Sequence, residues 1–121
     1  MLLRLVVGLA VAFCLGLALL WWWNPCLAPE ITVTNASESH ISQVVISGSG
    51  FNESLGDLAP GSSTTRSVRC AGESGLELSF SKAGKSYSRD DLAYIESCGG
   101  YRVDLTVKAD TSVAVSQRFA Y

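Results

Sequence analysis

Histidine is all but missing from this chain: His40 is the only one in 121 residues. Serine and cysteine hydrolases set an imidazole beside the nucleophile and a carboxylate behind it. His40 lies near Glu38 among serines that recur along the whole chain, so this neighbourhood marks no triad and the chain reads as non-enzymatic. Basic charge is also sparse. Nine lysines and arginines against eleven acids leave a net charge of −2, with no basic cluster of the kind nucleic-acid binding requires. The cysteines lie too far apart for a zinc motif. No segment carries the period of an amphipathic helix, and there is neither an internal repeat nor a low-complexity tract. No cofactor is expected.

Charge is absent altogether from one long stretch. Leu5 to Trp23 is an unbroken apolar run, preceded by Arg4 and closed by Trp21, Trp22 and Trp23. As a helix it would span roughly 28 Å, about the hydrocarbon thickness of a bilayer. It is longer than a signal-peptide core, and no Ala-x-Ala comes after it. Cys14 and Cys26 lack the small preceding residue of a lipoprotein signal. The run holds no Glu, unlike a type IV pilin N-terminus. Residues 1–23 therefore read as a retained signal-anchor, with the tryptophans at the far membrane interface. Arg4 precedes the run and no basic residue occurs after it before Arg66, which places the N-terminus in the cytoplasm and the rest outside. Small residues recur every four positions, Gly8, Ala12 and Gly16 on one stripe and Ala10, Cys14 and Ala18 on another. Such stripes admit helix–helix dimerisation.

Asn24 to Pro29 is a two-proline linker that blocks helix continuation and keeps the downstream residues near the bilayer. Residues 30–121 suffice for one domain. Their pattern has period two. Ile31 and Val33 alternate with threonines, Val44 and Ile46 lie in the next apolar stretch, and Leu76, Leu78 and Phe80 come after them. Tyr101, Val103, Leu105 and Val107 form the cleanest strand, and Val113 and Val115 the last. One buried face and one wet face imply antiparallel sheets. Turn residues separate the runs at Asn35–His40, Gly48–Gly50, Ala59–Ser62, Ala71–Ser74, Ala83-Gly84, Cys98–Gly100 and Ala109–Thr111. Six or seven short strands with such turns predict an all-β sandwich behind one transmembrane helix.

Three cysteines, Cys26, Cys70 and Cys98, lie outside the apolar run. In an oxidising compartment two should pair. Alternating the strands up and down brings Cys70 and Cys98 to one end, away from Cys26. The expected bridge is therefore Cys70–Cys98, stabilising by about 3–4 kcal/mol in the chain-entropy model. If Leu92–Glu96 forms an extra strand, Cys26–Cys98 is favoured instead. The odd cysteine would then stay a thiol or join two chains, so a homodimer through Cys26 or the Gly8/Ala12/Gly16 stripe is open.

Ile31–Ser37, then Leu55–Ser63 and the strand after it, form the pattern strand–Asn–turn–strand succeeded by L-x-PG-x-S and a strand. This resembles the first half of bacterial Ig-like and CARDB-type extracellular modules, and Glu73–Phe80 and Gly99–Val107 extend the likeness. The resemblance implies an Ig-like sandwich in an adhesive or spacer role, with no catalytic residues to carry over. The whole chain is also similar to small envelope proteins of Gram-negative bacteria.

Few other residues suggest chemistry. Asp90, Asp91 and Glu96 form the one acidic cluster and a candidate calcium site. Asn35-Ala36-Ser37 and Asn52-Glu53-Ser54 match the glycosylation pattern but also suit turns. Tyr87, Arg89 and Tyr94 carry the residue types of binding hot spots and make a candidate contact loop. The expectation is a single-pass, inner-membrane protein with a periplasmic sandwich, binding or structural in role, whose partner is an envelope protein. The alternatives are a secreted domain released by cleavage, an inhibitor or immunity-type protein, and a calcium-binding module.

Overall fold

The computed structural model describes residues 2–22 and 27–119, and of Leu19 to Trp22 the backbone only. The interface role expected of Trp21, Trp22 and Trp23 thus lies outside the described residues. Helix α1 runs Leu2–Trp22, 21 residues. Every described side chain on it is exposed, among them Leu2, Leu9 and Phe13. Among the described residues, no helix is long and apolar enough to cross a membrane.

Among the described residues ten strands come after it: β1 Glu30–Asn35, β2 Ile41–Gly48, β3 Phe51–Leu58, β4 Ser63–Ser67, β5 Glu73–Gly75, β6 Glu77–Lys82, β7 Lys85–Arg89, β8 Tyr94–Glu96, β9 Tyr101–Val107 and β10 Val113–Phe119. They build one four-stranded sheet in the order β10-β9-β1-β4, another in the order β3-β2-β6-β7, and the small pair β5-β8. Ile31, Val33, Val103, Leu105 and Val107 of the first sheet share one core with Ile41, Val44, Ile46, Leu58, Leu78 and Phe80 of the second. All of these are at most 3 % exposed. The expected all-β, sandwich-like architecture with mostly antiparallel sheets is present.

Several strands escaped the period-two reading, each for a local reason. In β2 the buried positions are Ile41, Val44 and Ile46, and the register shifts on both sides of Val44. Gln43 there takes φ +52°, and its N–H donates to Asp57 Oδ1 at 3.3 Å. Gly56 at φ +72° lies across from Val44 in β3. This paired irregularity, a β-bulge, breaks the alternation in both strands. At the edges, β4 is polar throughout; Thr32 and Thr34 of β1 pair by hydroxyls with Thr65 and Ser63, at 2.8 and 2.9 Å. β1 and β9 pair in parallel, a departure from the all-antiparallel expectation. The second sheet lies between them in sequence, so no hairpin dictates their direction.

Asn35 locks the end of the sandwich away from α1. It is fully buried, and its Nδ2 donates to Ser39 O at 2.8 Å and Leu58 O at 3.0 Å. Its Oδ1 accepts from Ser37 N at 3.0 Å and Ser37 Oγ at 2.6 Å. Its main chain joins the Ala59–Ser62 turn, through Ser62 O at 2.9 Å and Gly61 N at 2.7 Å. Pro60 with Gly61 at φ +78° closes that turn with Ser62 N on Ala59 O. Asn35 is a structural residue without surface for a glycan; Asn52 is exposed on β3.

Candidate functional site

The opposite end of the domain, where the chain arrives from α1, collects the chemistry. Leu27 makes a parallel bridge to Gly99, and its carbonyl accepts from Gly100 N at 3.0 Å. Pro29 O accepts from Val68 N at 3.0 Å. These contacts gather the entry segment, the chain after β4 and the loop before β9 around a groove of about 490 Å³. Ala28, Pro29, Val68, Arg69, Cys70, Ser97 and Cys98 line it.

The expected Cys70–Cys98 bridge is not formed. Cys70 is a buried free thiol whose Sγ donates to Gly72 O at 3.4 Å. Cys98, at φ +64°, is disulfide-bonded. Cys26 lies outside the described residues. The expected placement of Cys26 away from both is what the fold changes. Residues 94–96 do form a strand, antiparallel to β5 with Glu73 opposite Glu96. Cys70 and Cys98 do come to one end, but it is the end where the chain enters, and there the Cys70 thiol is turned onto the Gly72 carbonyl. Leu27, next to Cys26, bridges Gly99, next to Cys98. Cys14 is an exposed free thiol on α1. Around the Gly8/Ala12/Gly16 stripe, a Cβ added at Gly8 or Gly16 would meet nothing within 4 Å, so close approach to that face is open.

The three acidic residues expected to cluster are not assembled into one site. Asp90 and Asp91 border a groove of about 370 Å³ with Ser47–Ser49, Glu73–Gly75 and Glu77. Glu96 instead borders a separate recess with Gly72, Glu73 and Ser97. Among the described residues no group of three or more histidine, cysteine or carboxylate side chains could hold a metal ion. Asp91 takes φ +50°, a left-handed turn that carries the chain out of β7.

Tyr87, Arg89 and Tyr94 also separate. Tyr87 is half-buried, stacks on Phe80 at 5.4 Å and lies under the Arg89 guanidinium at 5.8 Å. Arg89 Nη2 donates to Thr111 Oγ1 at 3.3 Å, which ties β7 to the β9–β10 hairpin. This pair therefore packs the sandwich edge. Tyr94 belongs to β8, and its main-chain oxygen accepts from Gln117 Nε2 at 2.7 Å. Its hydroxyl donates to Glu96 Oε1 at 2.6 Å. That hydrogen bond first, then desolvation and the nearby Glu73 carboxylate, push the phenol well above the ordinary tyrosine range. Tyr94 thus bridges two carboxylates that face each other across the β5–β8 pair. His40 is exposed in the β1–β2 connection.

Sequence reasoning missed Arg69 and Arg118. Both are exposed, and β10 places Arg118 directly opposite Arg102. Arg102 meets Glu30 at 3.4 Å and donates to Ala28 O at 3.3 Å. One signal was available: Arg66, Arg69, Arg102 and Arg118 all lie near the ends of runs that point toward Pro29. Only strand pairing brings those ends together. No family model, curated protein or solved structure matches this chain.

Proposed function

We propose that the chain is a single-pass membrane protein whose N-terminal helix anchors a non-enzymatic β-sandwich to the extracytoplasmic face of the cell envelope. One observation carries this reading: α1 is apolar on every side beyond Arg4, and its described side chains pack against no core. Leu2 is 80 % exposed, Leu9 71 % and Phe13 69 %. A helix hydrophobic all round is stable in water only when covered, and a bilayer covers it without a partner. In the sequence the apolar run from Leu5 to Trp23 covers 19 residues, about 28 Å as a helix and close to the thickness of a hydrocarbon core. Arg4 favours a cytoplasmic N-terminus, and a disulfide at Cys98 suits an oxidising compartment.

The domain is Ig-like in this reading, in line with the two sheets and the turn chemistry around Asn35 and Pro60-Gly61. Its work is binding or scaffolding. An anchor holds the domain at the membrane and raises its effective concentration for envelope partners there.

The test is the intact mass of the protein recovered from membranes, combined with protease protection in sealed spheroplasts. The expected outcome is a full-length chain in the membrane fraction, with residues 27–119 accessible only from outside. A soluble form lacking the apolar run would overturn the anchor.

A further inference from the structure

We propose that the entry end of the first sheet is a lipid-contacting surface, in which Arg69, Arg102 and Arg118 engage anionic phospholipid headgroups beside exposed Leu27 and Phe119. The inference rests on α1 being a membrane anchor, and it goes further by stating how the domain meets the bilayer.

The first observation is tether length. Only residues 23–26 separate α1 from Leu27. The five steps from Trp22 to Leu27 reach at most about 18 Å. Leu27 is already fixed to Gly99, so the end of the sandwich that holds Gly99 is kept close to where the helix emerges.

The second is charge at that same end. Arg118 and Arg102 are direct cross-strand neighbours, an arrangement that is repulsive on its own. Glu30 compensates Arg102, through the one ion pair among the described residues. Among those residues Arg118 and Arg69 have no carboxylate partner. Arg69 lies beside Pro29, where Val68 is tied to the entry segment. A phosphate between Arg102 and Arg118 would turn repulsion into bidentate contact.

The third is exposed apolar surface among these charges. Phe119 is 53 % exposed and packs at 5.0 Å against Tyr101, while Leu27 is 45 % exposed. Aromatic and aliphatic side chains next to arginines suit the headgroup layer, where rings and cations lie at similar depth. The acidic groove of Glu73, Glu77, Asp90 and Asp91 belongs to the other side of this end. It would be repelled by anionic lipid, so the domain should tilt onto its first sheet.

Hydrogen exchange of the full-length chain in nanodiscs tests this. Discs of phosphatidylcholine alone are compared with discs containing phosphatidylglycerol, for wild type and for the double variant Arg69→Glu, Arg118→Glu. Both positions are exposed, and circular dichroism verifies that the variant keeps its strands. In phosphatidylglycerol discs, segments 66–70, 99–102 and 116–119 should exchange about fivefold more slowly or better. That is the factor one arginine supplies at an anionic surface. The protection should vanish in the variant and in high salt. Equal exchange in both discs for an incorporated chain overturns the lipid surface alone. A chain that does not enter discs at all overturns the anchor beneath it.

Discussion

The two ends of the sandwich are built on opposite plans. At the far end, Asn35 satisfies its side chain inside the fold and clamps the β1–β2 and β3–β4 connections and the end of β3. At the entry end, polar and charged groups face outward. A buried thiol lies in a groove with a bridged cysteine, arginines oppose each other, and carboxylates flank a tyrosine. Groups that face outward are satisfied by water and stay open to an outside partner, whereas those at the far end are spent inside the fold. The far end thus carries the fold, and the entry end is where the proposed contact with the membrane would be made.

The sharpest way to break this contrast is Asn35→Ala. It leaves the buried Leu58 carbonyl without its Asn35 donor and removes the acceptor of Ser37 N and Oγ, and should destabilise the domain by about 3 kcal/mol in denaturant unfolding. A loss under about 1 kcal/mol, the ordinary effect of one hydrogen bond, would mean that the far end is not the structural one. At the entry end, Cys70→Ala should cost about 1–2 kcal/mol, since it removes one buried sulfur and one weak hydrogen bond. Non-reducing peptide mapping should find Cys70 as a thiol, alkylated only after unfolding. A Cys70–Cys98 peptide would overturn this pairing.

The smallest effects are pH-dependent. In the β9–β10 hairpin, the Asp110 carboxylate accepts from Ser112 Oγ at 2.6 Å and Ser112 N at 3.1 Å. These bonds, the hydroxyl's first, hold its pKa below the ordinary 3.8. A depressed carboxylate contributes stability that is full above that value and is lost as pH falls through its lower folded pKa. Asp110→Asn should therefore weaken the hairpin slightly at neutral pH and make no difference in strong acid. Tyr94 runs the other way. Its raised pKa contributes stability that is full below the ordinary value of 10.0 and is lost as pH rises from there through the folded value. Ultraviolet titration should show one phenol ionising later than the others, and Glu96→Gln should bring it back down.

Where the chain alternates cleanly, the sequence was readable. β1, β6, β9 and β10 can be read from Ile31/Val33, Leu78/Phe80, Tyr101–Val107 and Val113/Val115, and most turns fall at their glycines, prolines and Asx residues. The bulge at Gln43 and Gly56 hid the register of β2 and β3, because one extra residue moves every later side chain to the other face. β4 and β7 have no continuous apolar face, being edges, and were invisible to periodicity. Cys70 and Cys98 do share one groove, but it is the one at the entry segment, and no local pattern shows that Cys70 stays a thiol there.

The residue order alone determined an apolar N-terminal helix with a single charge near its start and an alternating β domain, since both come from local hydropathy and turn chemistry. It also determined how short the link between them is. Tertiary structure alone decided which cysteine stays a thiol, that the acidic residues do not assemble into one site, and that β1 and β9 run in parallel. It alone brought Arg69, Arg102 and Arg118 to the end where the chain enters. These are properties of strand pairing between segments tens of residues apart, and no local pattern encodes which edges meet.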